Sequence, residues 1–162
     1  MKKEQTDFDF PVLDETDCQL LNLLQQDGKL TVRDLASKVN LSPTPVHDRI
    51  KRLETSGVIN HYAAVVNREK VEPVIIFFVN IVLKEHSTRL GGEFIKRITV
   101  MKEIVEVYNI GGEFDFMIKV VVHDMGAYKN FFVKKLGELP NIARLQSIIV
   151  LDTLKYETGI PF

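Results

Sequence analysis

Residues 41–59, Leu-Ser-Pro-Thr-Pro-Val-His-Asp-Arg-Ile-Lys-Arg-Leu-Glu-Thr-Ser-Gly-Val-Ile, decide the fold. Ser42 stands before Pro43, and proline is best tolerated at the first position of a helix, where an amide has no intrahelical acceptor. Pro45 is tolerated in the same turn for the same reason. With both prolines lacking an N–H, Thr44 carries the only amide that Ser42 can cap. Val46, Ile50 and Leu53 then recur at i, i+4 and i+7, which predicts a helix with one apolar stripe. Gly57 stops it. Thr44, His47, Asp48, Lys51 and Arg52 avoid the stripe, and Arg49 flanks it.

Two further helices are predicted upstream. Thr31-x-x-Asp34 is a capping pair that opens a helix through Leu35, Ala36 and Val39. Asn40-Leu41 is a tight turn. Asp14 with Asp17 opens an earlier helix whose face is Leu20, Leu21, Leu23 and Leu24, and Asp27-Gly28 ends it, with Gly28 expected at positive φ. Three helices with so short a turn between the last two make a helix-turn-helix.

The whole chain carries a net charge of −1, which argues against a nucleic-acid partner until its distribution is considered. Between Lys29 and Arg52 six basic residues face only Asp34 and Asp48, a net of +4, whereas residues 1–28 are strongly acidic. Such asymmetry marks a local face. Ser42, Thr44, Pro45, His47, Asp48, Arg49, Lys51 and Arg52 are therefore the candidate DNA contacts. Short polar side chains stand in the first turn, where a recognition helix meets base edges, and cations follow for phosphates or guanine. A solvated surface helix is the alternative on pattern alone. His47 is a phosphate contact or simply exposed. Asp48 is expected to pair with a neighbouring arginine or to read a cytosine amino group.

Past Gly57, residues 58–66 alternate enough to be a strand, and 67–72 form a polar connection. From Pro73 the pattern runs strand, helix, strand, strand, helix, strand. Val74–Leu83 is rich in β-branched and aromatic residues. Residues 87–100 place Leu90, Phe94, Ile95 and Ile98 at helical spacing, with Gly91-Gly92 weakening the first turns. Ile104–Ile110 and Phe114–Val122 are strands about a Gly111-Gly112 turn. Asp124 caps a helix holding Tyr128, Phe131, Phe132 and Leu136, ended near Pro140, and 142–154 is the last strand. This βαββαβ order predicts an antiparallel ferredoxin-like sheet with both helices on one face. The other face is left for a partner, and a homodimer is the economical one.

Catalytic chemistry is not legible. There is no dinucleotide or phosphate loop and no serine in a nucleophile setting, and the four histidines are scattered without a metal-pair spacing, so neither an enzyme, a metal nor a cofactor is expected. No apolar run approaches the roughly 18 residues of a membrane span. The amino terminus has no apolar core of a signal peptide, and one cysteine provides neither a disulfide nor a zinc pair, so the expected location is cytoplasmic. One stretch, Tyr108 to Asp115, is site-like. Gly111 and Gly112 expose amides that can take a carboxylate, and Asp115 can take an ammonium. A plain hairpin turn is the better reading of the same residues on pattern alone.

Leu13-Asp14, Asp17, Leu20-Leu21, Leu24-Gln25, Asp27-Gly28, Leu35-Ala36, Val39, Leu41 to Val46, Arg49, Arg52-Leu53-Glu54, Gly57-Val58-Ile59 and Tyr62 closely resemble the Lrp/AsnC (feast/famine) transcription regulators, over about residues 12–157. The resemblance implies a winged helix-turn-helix joined to a ferredoxin-like RAM-type domain. It implies that the 58–66 strand pairs two protomers. It also implies an amino-acid effector held between dimers around a Gly-x-x-Asp loop, here Gly112, Glu113, Phe114 and Asp115, with Tyr108, Ile110, Gly111 and Ser147 beside it. Gly111 departs from the threonine or serine usual there, which removes a hydroxyl. The expected organisation is an arm at 1–12, a DNA-binding domain at 13–60, a hinge and linker at 61–72, an effector-binding and oligomerisation domain at 73–157 and a tail at 158–162. The expected assembly is a homodimer that builds a higher oligomer, an octamer, on double-stranded DNA.

Overall fold

The computed structural model describes residues 11–67, 70–157 and 159–162; the arm expected at 1–12 lies almost wholly outside them. The chain divides into two compact units, one holding the residues up to Val65 together with Lys155–Phe162, the other Val66–Leu154.

The first unit is built on three helices, α1 (Glu15–Gln26), α2 (Val32–Lys38) and α3 (Pro43–Thr55). Asp14 and Asp17 form a reciprocal capping box on α1, and Thr31 and Asp34 form one on α2. Each satisfies two amides that the helix itself cannot. Leu20, Leu35, Ala36 and Val46 make the centre of the core, with Leu23, Leu24, Leu30, Val32, Val39 and Ile50 packed around it. Ser42 is the N-cap of α3, but its hydroxyl makes no capping bond, not even to Thr44, the one amide that Pro43 and Pro45 leave it. Asn40 (φ 55) and Gly57 (φ 77) take the left-handed backbone that turns the chain before and after α3. Gly28 does not. It instead lets Tyr62 approach, a Cβ at 28 standing 3.4 Å from the ring, while the Tyr62 hydroxyl donates to Glu54 at 3.0 Å. Burial and then the Glu54 carboxylate push the Tyr62 phenol up to about 12.

Residues 58–66 are a correction to the sequence reading. They form no strand. Alternation predicts an extended segment with two unlike faces, but a strand also needs a hydrogen-bonded neighbour, and no described residue pairs with this one in a ladder. Val65 and Val66 are left exposed.

The second unit has β1 (Ile75–Leu83), α4 (Thr88–Ile98), β2 (Ile104–Asn109), β3 (Phe116–Val122), α5 (Met125–Asn130) and β4 (Ile142–Ile149). The sheet is antiparallel in the order β2-β3-β1-β4, as the βαββαβ reading requires. Phe77, Val79, Ile81 and Leu83 alternate onto one face and pack with Phe116, Ile118, Val120 and Val122 against Phe94, Ile98, Phe131 and Leu136. Phe78, Asn80, Met117 and Tyr108 share the opposite face by register.

The second helix changes character partway. After α5 the chain continues as a π turn, Phe131–Leu136, closed by the Gly137 amide donating to the Phe132 carbonyl at 2.8 Å. Phe131 and Leu136 are five residues apart and both fully buried. At 3.6 residues per turn they would point well apart, and the wider turn brings both onto the sheet.

Candidate DNA-binding and ligand-binding sites

The α3 helix presents a sorted surface. Val46 and Leu53 are buried; Ser42, Thr44, Pro45, His47, Asp48, Lys51 and Arg52 are exposed, and Arg49 is half-buried. Helical spacing puts Thr44, His47, Asp48 and Lys51 together on the outward face. Arg49 and Arg52 lie to one side and are already engaged. Arg49 donates to Asp14 and, at 2.8 Å, to Asp17, and Arg52 donates to the other oxygen of Asp17. The amide of Asp17 and the Arg49 guanidinium hold the Asp14 carboxyl below the usual range, and Asp14 and Asp17 in turn raise Arg49. Asp48 pairs with His47 (3.4 Å) and not with an arginine, the first of its two expected roles. The outward face thus keeps Lys51 as its central cation beside Thr44 and a His47–Asp48 pair.

The second candidate site is a six-residue loop at 110–115. The Gly111-Gly112 turn expected from sequence is longer than a two-residue hairpin because β3 starts at Phe116. Gly112 has φ 118, and the Ile110 amide closes the loop on the Asp115 carbonyl at 3.0 Å. Asp115 has a structural duty. The β1–β4 register shifts between Val82 and Leu83, and the Asp115 carboxylate accepts the Leu83 amide at 2.7 Å. Its other oxygen lies 3.3 Å from His86 Nδ1. Glu113 accepts from Arg144 at 2.6 Å, and that guanidinium covers the Phe114 ring at 4.8 Å.

The remaining expected residues do not join this loop. Tyr108 is on the open sheet face of β2, its hydroxyl donating to Glu106 at 2.7 Å, and Glu106 takes the Lys119 ammonium at 2.7 Å. Ser147 pairs with Val79, so it shares the helix-side face, and its hydroxyl bonds that of Tyr128. Tyr108 and Ser147 therefore stand on opposite faces of the two edge strands. His86 and Arg144 were missed from sequence, since nothing in their local pattern ties them to a loop some 30 residues away in the chain; Asp14 and Asp17 were read only as caps. Among the described residues no group of three His, Cys, Asp or Glu side chains is arranged to hold a metal ion, and no helix is long and apolar enough to cross a membrane.

Comparison with known proteins gives this geometry its context. A family model for winged helix-turn-helix DNA-binding domains matches residues 13–60, and one for the Lrp/AsnC ligand binding domain matches residues 76–160. The chain is 36% identical over 143 residues to the leucine-responsive regulatory protein of Haemophilus influenzae, covering 88% of this chain and 86% of that protein. It is 34% identical over 150 residues to the DNA-binding transcriptional activator DecR of Escherichia coli, covering 93% and 99%. A transcriptional regulator of Neisseria meningitidis, solved as a complex with L-Met, superposes with a TM-score of 0.87 at 29% identity, over 93% of this chain and 97% of that one. These relatives are regulators of transcription, not enzymes. With a DNA-binding helix-turn-helix at one end and a ligand-binding ferredoxin-like domain at the other, the chain belongs to the Lrp/AsnC family of transcriptional regulators.

Proposed function

We propose that the protein is a homodimeric, promoter-binding regulator, assembling further to an octamer, whose DNA binding is adjusted by an amino acid held between protomers. It reads pseudo-palindromic sites in cytoplasmic DNA, with α3 in the major groove. Thr44, His47, Asp48 and Lys51 approach base edges, Ser42 and Pro45 lie at the entry of the helix against the backbone, and Arg49 and Arg52 contribute positive potential while they hold α1.

The observation that carries the effector reading is the separation of Tyr108 from Ser147. Two residues on opposite faces of opposite edge strands cannot line one pocket within a single sheet. A site using both needs another copy of the chain, which supports an effector position from which assembly can be altered. Ile110, Gly111, Gly112, Glu113 and Asp115 supply one wall, with Tyr108 adjoining it in sequence at the end of β2, backbone amides at the two glycines for a carboxylate and Asp115 for an ammonium. Ser147 supplies the facing wall. That the Neisseria regulator was solved with L-Met supports an amino acid as the ligand class.

Titration calorimetry with each common amino acid tests this. Asp115→Asn is the discriminating variant, because it removes the charge while keeping an oxygen for the Leu83 amide. Binding to the wild type that is lost in Asp115→Asn, in a protein with unchanged melting temperature, is the expected result. Undiminished affinity in the variant overturns the placement of the pocket, and no binding of any amino acid overturns the effector reading.

A further inference from the structure

The C-terminal segment does not hang free. Gln25, near the end of α1, donates from Nε2 to the Ile160 carbonyl at 3.0 Å and accepts the Ile160 amide on Oε1 at 2.7 Å. One side-chain amide thus meets both backbone groups of one residue, as an adjacent strand would. The neighbouring Gly159 lies close, a Cβ there standing 3.4 Å from Gln25 Oε1. The groove so formed is also lined by Val65, Tyr156 and Pro161. Val65 is the last residue of this unit before the chain passes to the other, and Lys155 is the first on its return. Both passages of the chain therefore border one groove on α1.

We propose that this segment is a strap whose seating on Gln25 controls how firmly the DNA-binding unit holds its recognition helix. The α1 helix is fixed at its two ends by different means. At its start Asp14 and Asp17 bind Arg49 and Arg52 of α3. At its end the strap binds Gln25. Freeing the strap loosens α1, and the ion pairs carry that loosening to α3, the element that meets DNA. Seated and free are the two states of the device, and chain continuity through residues 150–154 links the strap to β4, which carries Ser147. A change at the sheet that reaches this connection acts on the same contact.

The test uses the full-length protein as wild type, Gln25→Ala and Ile160→Pro, the last removing the donated amide and fixing φ at that position. Hydrogen exchange is followed by mass spectrometry on the C-terminal and α3 peptides, together with binding to sheared duplex DNA at low salt. Both variants are expected to exchange the C-terminal segment several-fold faster, a single neutral hydrogen bond being worth roughly 2- to 12-fold in an equilibrium. The α3 amides are expected to follow, and DNA affinity to fall about two- to fivefold in both variants, less than one full hydrogen bond because α3 keeps its own core. Unchanged C-terminal exchange overturns the strap. Faster C-terminal exchange with unchanged α3 exchange and DNA affinity overturns its control of α3. Failure of the wild type to bind duplex DNA would sink the regulatory reading separately, and the α3 exchange would still decide the strap.

Discussion

The guanidinium of Arg49 donates to the carboxylate of Asp17 at 2.8 Å, across 32 positions of sequence, and Asp17 is completely buried. The other Asp17 oxygen takes Arg52 and also accepts the Asp14 amide at 3.2 Å. A carboxylate that caps one helix is therefore the anchor for two arginines of another. The recognition helix is oriented by the same side chains that the charge pattern alone would assign to DNA.

Asp17→Ala follows directly from this arrangement. It deletes a cap and leaves two guanidinium groups without their shared partner. Breaking a buried ion pair costs about 3–5 kcal/mol, and the half-exposed Arg52 lowers the expectation here to about 2–3 kcal/mol. Urea unfolding measures it as a lower midpoint with unchanged slope. A double-mutant cycle with Arg49→Ala should show coupling of about 1 kcal/mol or more. Additive effects would mean that the pair does no anchoring.

Lys51 and Arg49 should separate in DNA titrations. Lys51 points outward and makes no ion pair with an acidic side chain among the described residues. Lys51→Ala is expected to weaken binding and reduce the logarithmic salt slope by about 1, one phosphate contact's worth of counterion release. Arg49→Ala is expected to lower the melting temperature more than it changes that slope. A larger slope change at Arg49 than at Lys51 would reverse the assignment.

What was legible in the sequence was local. The caps at Asp14, Thr31 and Asp124 were readable because cap and amide are three residues apart, whereas Ser42, read as a cap for the Thr44 amide, makes no such bond. The strand and helix order was readable because alternation and helical spacing differ in period. Arg49 meeting Asp17 was not, since nothing local links positions so far apart. Tyr108 and Ser147 could be placed on opposite faces only after register was known, because a one-residue slip inverts a strand. Residues 58–66 have a strand's pattern but no strand paired with them among the described residues. The seating of Ile160 on Gln25 leaves no periodic trace at all.

Acid should weaken the DNA-binding unit in a defined way. The folded-state pKa of Asp14 lies below 3.8, chiefly through the Asp17 amide and then Arg49, and that of Asp34 lies below 3.8 through Thr31. A depressed carboxylate contributes stability that is complete above its unfolded pKa and is lost as pH falls through the folded one. Wild type should therefore lose stability progressively below about pH 4. Asp14→Asn should be the less stable protein at pH 7, with the gap narrowing as pH falls. Urea midpoints at several pH values give the comparison, and a gap that stays constant down to pH 2 would show that Asp14 titrates alike in both states.

Gly137 sits where the π turn ends, and its amide reaches back five residues to Phe132. A Cβ there would stand 3.0 Å from the carbonyl oxygens of both Phe132 and Val133, backbone atoms that cannot swing aside as a side chain would. Its φ is −68°, so an alanine meets no backbone prohibition, and the crowding alone decides the outcome. In an ordinary helical setting Gly→Ala stabilises by about 0.4–1 kcal/mol through the unfolded chain. Here the overpacking should dominate, making Gly137→Ala destabilising by about 1 kcal/mol or more. Thermal unfolding reads the sign, with a fall in Tm of several degrees expected for a chain of this size, about 2–4 °C per kcal/mol. A rise in Tm would mean that the segment relaxes to an α-helix at no loss, and that the five-residue spacing of Phe131 and Leu136 does not depend on the wide turn. Because those two side chains are fully buried against the sheet, the same relaxation would have to uncover one of them, which is why the destabilising sign is expected.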